Sequence, residues 1–115
     1  MENHDMNITE NTKDNVSVFE LEGRVDSQGA LDLEVILEAA YEEGASRMIL
    51  DLSRVNYLNS AGLRILADFL SRNREREGDL LLVSPSPRIQ RILQIIGFDK
   101  FFRVFDSVEL ATQAF

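Results

Sequence analysis

Cysteine is absent from this 115-residue chain, and histidine occurs once, as His4. The first absence excludes disulfides, thiolate zinc sites, iron–sulfur clusters and cysteine nucleophiles. The second excludes a histidine-rich metal centre and a serine–histidine triad. Long apolar runs are missing too. The longest, Leu80–Val83, falls far short of the ~18 residues that a membrane span requires, so membrane insertion is not expected. Met1–Asp5 have neither the basic start nor the apolar stretch of a signal peptide, and a cytoplasmic location is the expectation. Glycine is sparse: its six residues stand singly, so neither a Gly-x-Gly-x-x-Gly nor a Gly-x-x-x-x-Gly-Lys phosphate loop exists. Lysine is scarcer still. With only Lys13 and Lys100, and no acidic cluster after the first strand, a phosphoacceptor receiver domain is rejected. Basic residues number 12 against 20 acidic ones, for a net charge of −8. This balance opposes a main task of holding nucleic acid or an anionic membrane and favours protein or cationic partners. No enzymatic activity, metal or cofactor is expected.

What is present reads as one globular domain. Hydrophobic residues make up 44% and charged residues 28%, unlike a disordered chain. The length fits a single domain over 1–115, with residues 1–5 a frayed start. Met6, Ile8 and Thr9 suggest a weak edge strand and Val16–Leu21 a better one, with Asn11–Asn15 as the turn of an antiparallel hairpin. Asp26-Ser27 caps a helix whose apolar face is Leu33, Ile36, Leu37, Ala40 and Tyr41, with Gly44 as its stop. Met48–Leu52 is short and apolar enough for a strand buried on both faces. Leu63, Leu66, Ala67 and Leu70 mark a second helix, whose charged end Arg72–Glu77 reads as solvated before Gly78. Leu80–Val83 is another buried strand. Ser86-Pro87 opens a third helix with Ile89, Ile92, Leu93 and Ile96 on its apolar face, closed by Gly97. After the short apolar piece Phe101–Phe105, Asp106-Ser107 caps a last helix carrying Val108, Leu110 and Ala111. Strands alternate with helices from residue 47 onward. The expected class is α/β: a mixed, mostly parallel sheet of four to five strands flanked by about four helices.

The most informative stretch is Asp51-Leu52-Ser53, a short apolar link, and Asn59-Ser60-Ala61-Gly62-Leu63 at a helix start. Gly23-Arg24-Val25-Asp26 precedes the first helix, and Ser84-Pro85-Ser86-Pro87 leads into Arg88–Gly97-Phe98. In that order and spacing, over about residues 16–113, these segments resemble the STAS domain family, and within it the bacterial anti-sigma factor antagonists. The family usually has Asp before the motif serine, where this chain has Asn59. Asparagine keeps the capping geometry and loses the charge.

The resemblance implies transcription regulation by partner switching. The unphosphorylated domain binds an anti-sigma factor that is itself a serine-protein kinase. Phosphorylation of the motif serine, here Ser60, releases it, and a metal-dependent serine phosphatase restores the active form. This chain is then a phosphoprotein and a substrate rather than an enzyme, and a monomer or weak dimer. A phosphate at Ser60 adds about −1.5 to −2 charge to an interface fitted to a neutral hydroxyl. Helix N–H groups, with Arg64 one turn on, are placed to stabilise it. Functional loops of parallel sheets gather at the strands' carboxyl ends. Arg24, Asp26, Ser27 and Gln28 are therefore expected beside Asn59, Ser60, Ala61, Gly62, Leu63 and Arg64 as one partner surface. Two alternatives stay open. Asn59 and Ser60 are both good helix caps, and a capping serine needs no modification to explain it. A STAS domain also serves as a fixed, unphosphorylated subunit of a signalling scaffold or a lipid transporter.

Overall fold

The computed structural model describes residues 6–115. The expected frayed start at residues 1–5, and His4 with it, lies outside the described residues. Five strands form one sheet in the order β1-β2-β3-β4-β5. These are β1 (Met6–Lys13), β2 (Val16–Val25), β3 (Arg47–Leu58), β4 (Asp79–Val83) and β5 (Val104–Phe105). β1 runs antiparallel to β2, and every other pair is parallel. Helices α1 (Ser27–Glu42), α2 (Ser60–Glu75) and α3 (Pro87–Ile95) connect the parallel strands, and α4 (Val108–Gln113) follows β5.

The two sheet faces are covered unequally. Phe19, Leu50, Leu52, Leu80 and Leu82 point into the main core with Leu33, Leu37, Leu66, Phe69 and Leu93 from α1, α2 and α3. On the other face Val16, Val18, Ile49, Leu81 and Val83 pack with Ala111 of α4. Three successive parallel crossovers on one face follow from their shared right-handedness, which leaves the opposite face to the C-terminal helix.

Two expectations are corrected by register. The hairpin turn is Asp14-Asn15 rather than Asn11–Asn15, because Asn11 pairs with Val18 and Thr12 with Ser17. Asp14 and Asn15 take φ of 55° and 66°, the paired left-handed conformation of a tight two-residue hairpin, which Asp and Asn tolerate well. β3 runs to Leu58 rather than stopping at Leu52. Along β3 the buried side chains Leu52, Val55 and Leu58 recur every third residue instead of every second. The register slips between Glu20 and Glu22 and again between Gly23 and Arg24, so β3 holds an extra residue at each bulge. Those bulges hide the strand from an alternation test.

The helical faces also differ in detail. Ile96, expected in the core, is exposed, as is Leu110 on α4, while Ile89, Leu93 and Ala111 are buried. The charged end of α2 is not simply solvated. Arg72 bonds Glu38 through both amino groups, at 2.9 and 2.7 Å, and stacks on Tyr41 and Phe69 with its guanidinium carbon 4.3 and 4.5 Å from the ring centres. Arg76 donates to the Tyr41 carbonyl at 2.6 Å, and Arg74 bonds both Asp79 and the Phe101 carbonyl.

Candidate functional site

The site sits where β2 and β3 deliver the chain into α1 and α2. Arg24 pairs with Tyr57 and Val25 with Leu58, so the two strands end in register. The Asn59 N–H then donates to the Val25 carbonyl at 3.0 Å, tying the two helix starts together. The starts of Arg24–Gln28 and Asn59–Leu63 therefore lie side by side.

The two starts are built alike. Asp26 caps α1, its Oδ1 accepting from Gly29 N–H at 2.9 Å. Asn59 caps α2, its Oδ1 accepting from Gly62 N–H at 3.0 Å. Each reads Asx-Ser-x-Gly, with the serine (Ser27 or Ser60) at the first helical position and exposed. Glycine at the third is a packing requirement. A Cβ on Gly29 would stand 2.5 Å from the Arg24 carbonyl oxygen, and one on Gly62 would stand 2.6 Å from Val25 Cγ1 and 2.7 Å from Leu58 Cδ1. Close approach of helix to strand end needs the bare backbone.

The cap assignment separates the two readings of Ser60. Asn59 is the cap, and the Ser60 hydroxyl makes no hydrogen bond to another described residue. By contrast Ser84 Oγ donates to the Asp106 carbonyl at 2.7 Å, and Ser86 and Ser107 cap α3 and α4. Arg64, one turn past Ser60, is exposed and makes no ion pair with a described residue. Ala61 and Leu63 are half-buried and Gly62 is buried, so these three shape the ledge rather than present side chains outward.

One neighbour escaped the sequence reading: Tyr57. The Arg24 guanidinium carbon lies 4.2 Å from the centre of its ring, forming a rim beside the helix starts. It is an exposed aromatic just past the second bulge, a position that shows only once β3 is known to continue. Among the described residues no group of acidic or histidine side chains could hold a metal ion.

The model of the STAS domain family matches residues 7–111. The chain belongs to the STAS domain family. A Bordetella bronchiseptica protein, BtrV, whose name assigns it as an anti-sigma factor antagonist, is 36% identical over 110 residues, 96% of this chain and 95% of that one. The anti-sigma-B factor antagonist of Staphylococcus aureus is 25% identical over 105 residues, 91% of this STAS domain and 97% of its own length. A solved anti-sigma factor antagonist from Mycobacterium paratuberculosis superposes with a TM-score of 0.86 at 28% identity, covering 95% of this chain and 92% of that chain. No helix among the described residues is long and apolar enough to cross a membrane.

Proposed function

We propose that this STAS domain is a cytoplasmic anti-sigma factor antagonist that switches partners through Ser60. The observation that supports it most is the exposed Ser60 hydroxyl, free of the capping duty that Asn59 performs, on a face shared with the α1 start. In the neutral state Arg24, Asp26, Ser27 and Gln28, with Asn59–Arg64, form the surface that an anti-sigma serine kinase grips. The kinase transfers the γ-phosphoryl group of its ATP to Ser60 Oγ, ADP leaves, and the hydroxyl proton goes to a base on the kinase. The chain is the substrate and performs no catalysis. The new dianion sits at the positive end of α2, where the N–H groups of Ser60 and Ala61 have no described partner. The Arg64 guanidinium is one turn away. Charge at the centre of the face breaks the grip, and a metal-dependent serine phosphatase restores it.

The test is phosphorylation by the cognate kinase with ATP, read by peptide mass spectrometry beside binding measurements. A single phosphoserine at Ser60 is expected. Ser60→Ala should bind and resist phosphorylation, and Ser60→Asp should lose at least about tenfold in affinity, or ~1.4 kcal/mol. Phosphate only on Ser27, Ser53 or Ser84, or equal affinity of the two variants, overturns the switch. No phosphate at all leaves a STAS domain acting as a fixed subunit.

A further inference from the structure

Two helices carry opposite charge and unburied apolar side chains on their outer faces. α1 contains Asp32, Glu34, Glu38 and Glu42 and no base. Leu31 and Val35, one turn apart, are 56% and 67% exposed beside that acidic ridge. Glu38 is held by Arg72, whereas Glu34 and Glu42 make no ion pair with a described residue. α3 is the converse. It holds Arg88 and Arg91 and no acid, in a chain whose net charge is −8. Arg88, Arg91 and Ile95 follow one another along its outer side, and Ile95 is 72% exposed, more than any other large hydrophobic side chain described.

We infer that copies of this chain associate head to tail, the outer face of α1 in one copy seated on the outer face of α3 in the next. The apolar seam sets Leu31 and Val35 against Ile95, and the flanking arginines meet Glu34 and Glu42. Charge decides the pairing. An α1–α1 contact would oppose two acidic ridges, and an α3–α3 contact would oppose four arginines. An anionic membrane would suit α3 alone, against the repulsion of the whole acidic chain, and would leave the α1 face unused. A contact between unlike surfaces leaves one free face at each end of a row of copies, so association grows with concentration until a ring closes. A single helix-on-helix seam covers less than the ~800 Å² per partner of a standard interface, so the association is weak and reversible. It does not depend on Ser60.

Sedimentation velocity over a concentration series tests this, with the full chain at low salt and again in ~1 M salt, where the Debye length falls to ~3 Å. The wild type should grow with concentration at low salt and much less at high salt. Leu31→Ser/Val35→Ser removes one face and Arg88→Glu/Arg91→Glu the other; all four positions are exposed, and circular dichroism checks the fold. Each variant alone should be at least ~10-fold weaker in self-association. Their equimolar mixture should form dimers and nothing larger, since one intact α1 face meets one intact α3 face. A wild type that stays monomeric at low salt overturns the inference. So does an α3 variant that associates like wild type, a mixture that forms no dimer, or capture by anionic vesicles that only the α3 variant loses.

Discussion

The two ends of the α1–α2 helix pair are built on opposite plans. Where the chain enters both helices, backbone does the joining: two Asx caps, two glycines and one Asn59–Val25 hydrogen bond bring the helices together, and the polar side chains face outward. Where the chain leaves them, side chains do the joining. Arg72 grips Glu38 and lies over Tyr41 and Phe69, and Arg76 bonds the Tyr41 carbonyl. The second end spends its charged groups on holding the fold. The first uses Asp26 as a cap and Arg24 on the Tyr57 ring, and leaves Arg64 with no ion pair to a described residue. The switch proposed for Ser60 requires this end to survive a change in charge, which backbone joinery tolerates better than ion pairs would.

Breaking the backbone plan should cost most. Gly62→Ala pushes a methyl into Val25 and Leu58, and a loss of about 1–3 kcal/mol is expected from chemical denaturation. A variant as stable as wild type would show that the strand ends yield freely and that glycine there is incidental.

Breaking the side-chain plan should cost somewhat less. Arg72→Ala is expected to lose about 1–2 kcal/mol, mainly ring stacking and stem packing, since an ion pair this accessible is screened by solvent. Its side chain and that of Glu38 are 27% and 37% exposed. Hydrogen bonds from Arg72 hold the Glu38 carboxyl below its ordinary value, with a smaller opposing push from desolvation. A depressed carboxyl stabilises the fold at pH above its unfolded value and loses that contribution as pH falls through the folded one. Melting temperatures followed from pH 6 down to about pH 3 should therefore fall less steeply in Arg72→Ala than in wild type over the acid range, where ordinary carboxylates titrate near ~4. Parallel curves would mean that the pair contributes nothing.

Asn59→Asp sharpens the comparison from the gaining side. It puts a carboxylate at the positive end of α2 and should raise stability by about 0.3–1 kcal/mol at low salt. A fall instead would show that charge is unwelcome beside Val25 and Leu58.

The smallest effect belongs to Ser60→Ala, expected within ~0.5 kcal/mol of wild type by the same denaturation measurement. Exposed and unbonded, the hydroxyl carries no structural duty; a loss near the ~1 kcal/mol of a missing cap would reassign it as one.

Much of this was legible beforehand because it depends on local chemistry. Caps announce themselves by residue type: Asp26-Ser27, Ser86 and Asp106-Ser107 stand before apolar periodicities, and Asp26, Ser86 and Ser107 are the ones that accept the N–H. Ser60 illustrates the limit. Asn59 and Ser60 are equally good caps on paper, and only the backbone conformation at Asn59 decides between them. Arg72 is a sharper case, since its ring partner Tyr41 and its acid Glu38 lie more than thirty residues away on another helix.

Alone, then, the sequence determined the alternation of strands and helices, the mixed sheet and the two segments of the candidate face. Apolar period, caps and turn residues act over a few positions and leave their mark there. Tertiary structure decided the length of β3, the role of the charged end of α2, the rim made by Arg24 and Tyr57, and which apolar side chains stay outside. Each of these depends on what a strand or helix meets across space: a bulge is defined by its partner's register, and burial by what packs opposite.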